Sequence, residues 1–453
     1  MLRSLTVMIL LIAAAVLRAD PTPPIMPAVT DTPLPPPVTL PAPEATAEAP
    51  TGPLTADEAA RLALRRQPSL TVAQMNVVAA QGRSRQARAD LYPSVTLTTG
   101  YTDPLVSSSS NASNEFSAGA NVRQLLFDDQ RASSLARQAG AQEESARAGF
   151  TRAQADLVLL VKQAFYGYAQ QQRQVAVQEA NLRNRRAHLA QARARVQAGI
   201  GLPIDVVRAE TAVAEAVLGL NLAQTNAAVA RVTLAQLLGL DPRTPLEIAE
   251  DAEPAPTTDD FAALQAQALA RRPELSQAQA TLRAADYAAR AAHAANSPRV
   301  MGTVGMGLRG PSFPPSNETL TLGVALEWAA FDGGNLAGRL DEARAQQVAA
   351  QAQVATATLA VAASVSQAYL NATTAEQRIL TADAQVANAG EAVRLAEGRY
   401  AAGLGTFLDV LDAQAALVTA QTNSINARSA VNQARAALAH AIHADPALAP
   451  DAP

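Results

Sequence analysis

Along most of this chain apolar positions recur with a helical period, and at four places the period switches to strict one-for-one alternation. The helical pattern begins at about Ala56, behind Thr55-x-x-Glu58, which has the spacing of a capping box, and runs to Leu91, where Tyr92-Pro93 stops it. A second helix is predicted over 128–198, broken by Gly199-x-Gly201-x-Pro203, and a third over 204–240, ended by Asp241-Pro242. The same order recurs over about 258–295, 332–402 and 406–443. Val206, Val213, Leu220, Ala227 and Leu234 fall seven apart, and Val410, Leu417, Val431 and Leu438 fall at multiples of seven, which predicts left-handed coiled seams. The stretch 128–198 has 71 residues, roughly 105 Å of helix. Its two shorter neighbours laid end to end would match that length.

The alternating runs predict strands at about 94–102, 115–126, 299–308 and 319–330. Val95, Leu97, Thr99 and Tyr101 oppose Ser94, Thr96, Thr98 and Gly100. The last run is the cleanest, with Leu320, Leu322, Val324, Leu326 and Trp328 against Thr321, Gly323, Ala325 and Glu327. A soluble half-buried sheet and a membrane barrel give the same alternation. If these strands lie in lipid they must close, and four are too few, since the smallest membrane barrels have about eight. Oligomerisation would then supply the rest. The connecting loops, 103–114 and 309–317, are polar and rich in Pro, Ser and Asn. Phe127, Trp328 and Phe331 stand where strand meets helix, as in an interfacial aromatic girdle.

The two halves read as copies. At a shift of 204, Gly199, Gly201, Asp205 and Val206 fall on Gly403, Gly405, Asp409 and Val410, and Phe127-Asp128 falls on Phe331-Asp332. Upstream the shift is 205, with Pro68-x-Leu70 on Pro273-x-Leu275. The first repeat is placed at 54–250 and the second at 251–446, with a tail at 447–453. Ahead of them, residues 1–19 read as a secretory signal peptide and residues 20–53 as an extended linker holding 12 of the 28 prolines. No other stretch reads as a helical membrane span.

Composition narrows the classes. Hydrophobic residues are 49% but aromatics only 4%, so the apolar content is mostly small side chains suited to close helix packing. The net charge of −4 gives no basic excess for nucleic acid. The absence of cysteine excludes disulfides, thiolate metal sites and cysteine nucleophiles. With only His188, His293, His440 and His443 as imidazoles, no metal and no cofactor is expected. Gly305-x-Gly307-x-x-Gly310 formally matches a dinucleotide fingerprint, but Pro311 and a polar loop follow where a helix is needed. The motifs G-x-S-x-G, H-E-x-x-H and the P-loop do not occur. No catalytic residue is assigned, and an enzyme is not expected.

With FDGG at 331–334, AGLGTFLDVLDAQ at 402–414 and its echo AGIGLPIDVVRAE at 198–210, the chain resembles the TolC-like outer-membrane efflux proteins over about residues 54–446. The resemblance implies a fold that is mostly α with membrane β: a homotrimer whose long coiled helices form an α-barrel joined to a 12-stranded β-barrel, four strands per chain. It implies a cell outer-membrane location, contact with outer-membrane lipid, and a long periplasmic extension. The implied function is the exit duct of a tripartite efflux or type I secretion system, joined by a periplasmic adaptor protein to an inner-membrane transporter of RND, ABC or MFS type. Lacking an N-terminal cysteine, the chain resembles the non-lipidated branch. The alternative is a periplasmic adaptor or structural coiled-coil protein, though adaptors usually carry one hairpin rather than a tandem copy.

Two sites follow. The Gly turns, Gly199, Ile200, Gly201 and Leu202 with Gly403, Leu404, Gly405 and Thr406, would be the tips that meet the adaptor. Asp409 and Asp412, at i and i+3 on the first turn of the last helix, share a face. They could simply favour the helix dipole. Under threefold symmetry they would instead form carboxylate rings at a periplasmic gate, with raised pKa values, as the resemblance suggests. In the first copy Asp205 matches Asp409, and Arg208 stands where a second acid would be, able to bridge to an acid and hold the mouth shut.

Overall fold

The structure is a computed structural model of the 453-residue chain; it describes residues 52–103, 114–249, 260–313 and 315–448. The chain divides into two units, residues 1–48 and 49–453, and the described residues belong to the second. The expected signal peptide, nearly all of the Pro-rich linker, most of the loop 103–114 and most of the tail lie outside the described residues.

The first half contains α1 (Ala56–Arg66), α2 (Pro68–Ala89), β1 (Ser94–Thr102), β2 (Glu115–Phe127), α3 (Arg131–Gln197) and α4 (Pro203–Leu237). The second contains α5 (Phe261–Arg271), α6 (Pro273–Ala294), β3 (Arg299–Gly310), β4 (Asn317–Glu327), α7 (Asn335–Ala401) and α8 (Phe407–Ala441), followed by a short 3₁₀ turn, Pro446–Leu448. The single helix expected over 56–91 is in fact two. Gln67 is extended (φ −70°, ψ 118°), and Pro68 opens α2. Arg272 does the same before Pro273 (φ −64°, ψ 124°). A proline ring bars helical geometry from the residue before it, while its missing N–H costs nothing at a helix's first position.

Helices α3 and α7 each have 67 residues, about 100 Å. The shorter helices have 11, 22 and 35 residues in both halves, and a pair of 22 and 35 laid end to end spans most of a long helix. The capping box at α1 is made: Thr55 Oγ1 accepts the Glu58 N–H at 3.3 Å, and Glu58 Oε2 accepts the Thr55 N–H at 2.9 Å. Both long helices start on the aspartate of a Phe-Asp pair. Asp128 Oδ2 accepts the Ala132 N–H at 2.6 Å, and Asp332 Oδ2 accepts the Leu336 N–H at 2.7 Å.

Helix α3 packs on α1, α2 and α4 of its own half and on α6 and α8 of the other; α7 packs on α5, α6 and α8. Alanine dominates these seams, with Phe165, Val158, Val161, Leu234 and Leu238 the largest fully buried side chains of the first half. A second cluster joins Leu264, Val361, Val365 and Leu438. Against the sequence expectation, α7 is long and apolar enough by composition to cross a membrane, yet only 17% of that stretch is buried within one chain. The reason lies in its run of alanine and valine, which suits a helix seam as well as lipid.

The four strands form one antiparallel sheet in the order β1-β2-β3-β4. Its register lines up the four apolar sets. Leu97, Ala120, Met306 and Leu320 make one row, and Val95, Val122, Val304 and Leu322 the next. Thr98, Gly119, Gly307 and Thr319 fall on the opposite face. Because strand side chains alternate, a slip of one residue anywhere would break both rows.

Candidate functional site

At the far end of each long helix the chain reverses through a glycine with positive φ, Gly199 (+74°) and Gly403 (+72°). In both turns the last carbonyls are satisfied in Schellman fashion. Ile200 N–H donates to Arg195 O at 3.0 Å and Gly199 N–H to Val196 O at 3.0 Å; Leu404 N–H donates to Arg399 O at 2.8 Å and Gly403 N–H to Tyr400 O at 3.2 Å. Gly201 is needed for a different reason: a Cβ there would stand 2.8 Å from Val196 N. The tips expose Ile200, Leu202, Ile204, Leu404 and Leu408, and a cluster of Ala192, Ala209, Tyr400, Phe407 and Val410 lies just behind them.

The four gate candidates do not behave alike. Asp409 closes a capping box with Thr406: its Oδ2 accepts the Thr406 N–H at 2.9 Å, and Thr406 Oγ1 accepts the Asp409 N–H at 3.2 Å. The Thr406 amide, then its hydroxyl, holds the Asp409 carboxyl below the usual carboxylate range, with Arg399 adding to the effect. Within one chain the expected upward shift is therefore reversed at this residue. Asp412 is exposed one turn further on. In the first copy Leu202 replaces the capping threonine and α4 has no side-chain cap; Asp205 is buried. Arg208 is exposed and makes no ion pair among the described residues, so the bridge to an acid is not formed within one chain.

Another arginine joins the two tips. Arg195, near the end of α3, donates to Tyr400 O (3.0 Å) and Ala401 O (3.2 Å), the last carbonyls of α7, and its guanidinium lies 4.4 Å from the centre of the Tyr400 ring. A cation there meets the negative end of the helix dipole and adds a second donor to the Tyr400 carbonyl, which already accepts the Gly403 N–H. Behind it α3 and α8 are tied by polar pairs: Gln174 to Thr422 (2.8 Å), Gln170 to Asn426 (2.7 Å), and His188 in contact with Gln414.

The apolar face of the sheet has no cover within the chain. Leu97, Leu320, Leu322, Val324 and Leu326 are all largely exposed, Leu322 at 80%. Trp328, Phe331 and Phe127 are exposed at its helical end, and Trp328 Nε1 donates to Asn296 O at 3.0 Å. At the other end Tyr101 packs tilted against Phe116, and Phe116 edge-on against Phe313, with ring centres 4.7 and 5.9 Å apart. Phe116 and Phe127 are eleven residues apart on β2. That is about 36 Å along the strand, or roughly 28 Å of height at a 40° tilt, close to the ~25 Å apolar band of an outer-membrane barrel.

Sequence reasoning missed this second aromatic group, Arg195 and the buried ion pair of Lys162 Nζ with Asp445 Oδ1 at 2.9 Å. Alternation marked Tyr101 as an apolar-face position without showing that it meets Phe116, or that Phe116 meets Phe313. The repeat of Arg195 as Arg399 at the same shift was the available signal for the arginine. Among the described residues, no cluster of His, Asp or Glu is arranged to hold a metal.

Two helix–strand–strand–helix halves with 100 Å helices and an uncovered, aromatic-bounded sheet face define an outer-membrane channel protein with a helical extension. The chain belongs to the outer membrane efflux protein family, whose profile matches residues 59–240 and 264–442. It is 29% identical over 389 residues to Protein CyaE of Bordetella pertussis, covering 81% of this chain and 79% of that one. It is 32% identical over 282 residues to the pyoverdine export outer membrane protein OpmQ of Pseudomonas putida, covering 59% and 58%. Among solved structures, the outer membrane protein VceC of Vibrio cholerae superposes with a TM-score of 0.77 at 22% identity, over 85% of this chain and 95% of that one, a likeness of fold. The family sets aside the adaptor and structural coiled-coil alternative: the chain is an efflux channel of the outer membrane, with its helices extending into the periplasm.

Proposed function

We propose that three copies of this chain close a twelve-stranded barrel in the outer membrane and that their helices continue it as a periplasmic duct. The observation that carries this is the sheet. β1 and β4 each leave one edge unpaired within the chain, and one face is apolar and bare. Open edges are not tolerated in lipid, and four strands cannot curl into a barrel, whereas twelve can. Such a duct receives its cargo, small molecules or protein, from an inner-membrane transporter. The exposed apolar residues at the two Gly turns, Ile200, Leu202 and Leu404, are the surface offered to a periplasmic adaptor.

At the entrance, Asp409 and Asp412 make the gate. Under threefold symmetry they become six carboxylates around a narrow mouth, which favours cations. The Thr406 cap opposes the mutual repulsion of such rings and keeps Asp409 ionised. Single-channel recording in planar bilayers tests this, with a trivalent cation on the periplasmic side. Wild type should be blocked, and block should weaken only as pH falls below the ordinary carboxylate range, where Asp409, held low by the Thr406 cap, takes up a proton. Asp409→Asn with Asp412→Asn should abolish block. Equal block in both proteins would show that the pair serves only the helix end.

A further inference from the structure

The charges on the sheet sort by face and by height. Its strands carry six charged side chains: Glu115 and Arg123 on β2, Arg299 and Arg309 on β3, Glu318 and Glu327 on β4. Glu318 falls on the apolar face at the loop end, opposite Leu308. The other five share the polar face. At its loop end Glu115 meets Arg309 at 3.6 Å. At its helical end Arg299 stands opposite Glu327 across β3 and β4. Arg123 has no acid beside it in the register. Its cross-strand neighbours are Ser94 and Thr303, it is exposed, and it makes no side-chain hydrogen bond or ion pair among the described residues.

The wall around Arg123 is low and its hydroxyls are turned inward. Gly305, opposite Asn121, and Gly323, opposite Thr303, carry no side chain. Thr319 Oγ1 donates to Gly307 O at 3.2 Å, Ser117 Oγ to Gly100 O at 3.3 Å and Thr303 Oγ1 to Gly323 O at 3.4 Å. With their protons engaged on strand carbonyls, these groups offer only lone pairs outward. Among the described residues of the sheet, Arg123 is the one cation that stands clear of the wall between the two charged rims. Twelve strands about 4.8 Å apart and tilted about 40° give a barrel wall of roughly 12 Å radius. Three arginines at one height, reaching inward from that wall, act on the axis within about one Debye length.

We propose that Arg123 is the charge filter of the barrel: in three copies it forms a ring of guanidinium groups that favours cargo carrying a carboxylate or phosphate group. This rests on the three-copy barrel reading and deepens it. Rings of arginine or lysine select anions in pores, and the planar guanidinium fork takes two oxygens of a carboxylate or phosphate at once. The ring is separate from the acids at the entrance, which lie beyond the 67 residues of α3 and α7, about 100 Å away. The wall on either side of it is neutral and both rims are balanced in sign. An anion drawn to Arg123 therefore meets no second cationic ring that would hold it, and it is released outward.

The chain has no cysteine, so single thiols can be read without background. Thr303→Cys, beside Arg123, is reacted in lipid vesicles with an anionic sulfonatoethyl and a cationic trimethylammonioethyl methanethiosulfonate. The ratio of anionic to cationic rates is compared with that of Thr303→Cys carrying Arg123→Gln. It should fall about fivefold without the arginine, as unit charges at roughly 6–10 Å in salt water imply, and Arg123→Lys should keep most of it. Raising the salt to about 1 M should bring the Arg123 protein to the same low ratio, a reading that needs no substitution at 123. A ratio unmoved by Arg123→Gln, with both reagents reacting, would overturn the filter and leave the barrel standing. If Thr303→Cys reacted with neither reagent while Val304→Cys reacted with both, the polar face would not line a lumen and both readings would fall. In planar bilayers, with Asp409→Asn and Asp412→Asn removing the entrance acids, the reversal potential in a salt gradient should move toward cations on Arg123→Gln. An unmoved potential would likewise remove the filter.

Discussion

Replacing Lys162 with methionine removes a charge and keeps the stem. Lys162 is the chain's single lysine. Its Nζ lies 2.6 Å from Asp57 Oδ1 on α1 and 2.9 Å from Asp445 Oδ1 beyond α8, tying three separate segments together. The side chains of Lys162 and Asp445 are 9% and 3% exposed, that of Asp57 43%. Without the lysine, Asp57 turns to water at little cost, as exposed partners do. Asp445 cannot. Its Oδ1 keeps the Ala447 N–H at 2.9 Å, while Oδ2 is buried without a partner. Breaking a buried pair from one side costs about 3–5 kcal/mol; with one amide still in place, the lower end, about 3 kcal/mol, applies. Asp445→Asn added to Lys162→Met removes the stranded charge and should recover about 2 kcal/mol of it. Denaturant unfolding of the detergent-solubilised protein measures both variants, and hydrogen exchange over α1 and residues 445–448 locates the damage. A loss below about 1 kcal/mol, or no recovery in the double variant, would refute the reasoning.

Leu322→Arg, in the middle of the bare sheet face, should destabilise the membrane-inserted protein by about 2–4 kcal/mol, while Thr321→Arg on the opposite face should be nearly neutral; folding titrations in lipid vesicles separate them. His443 is strained (φ 51°) where the first copy has Gly239, and its Nδ1 is buried without a partner. His443→Gly should therefore stabilise the protein by about 0.5–1 kcal/mol, read as a raised unfolding midpoint. Burial holds the His443 imidazole below its ordinary value, so its contribution is full above about pH 6.5 and is lost as pH falls; the gain from glycine should be larger at pH 5 than at pH 8. Ile200→Ser with Leu404→Ser should lower export in cells without loss of channel protein, read as cargo retained inside; unchanged export would move the adaptor surface elsewhere.

Helices and strands were legible because each carries its own period, and the tips because glycine and proline interrupt an otherwise unbroken pattern. The break at Gln67 escaped because proline suits a helix's first turn, so the apolar period runs across it; the signal was the extended residue that proline demands before it. Thr406-x-x-Asp409 has the same spacing as Thr55-x-x-Glu58, but its cap was hidden behind the ring reading. Arg195 was marked only by its repeat as Arg399, and the partners of Arg195 and Lys162 were not legible. Their partners lie 205 and 283 residues away, and no local pattern reports which helices become neighbours. The gate acids stood out by spacing and by the family resemblance, neither of which can tell an exposed Asp412 from a buried Asp205.

In the proposed barrel, β1–β4 face lipid on one side and a water-filled lumen on the other. Nitroxide labels at single cysteines along β4, residues 318–326, in protein reconstituted into bilayers, test it directly. Labels at Leu320, Leu322, Val324 and Leu326 should be open to oxygen and shielded from a water-soluble nickel reagent, and those at Thr319, Thr321, Gly323 and Ala325 the reverse. Uniform exposure to the nickel reagent along the strand, with no period of two, would contradict a membrane barrel.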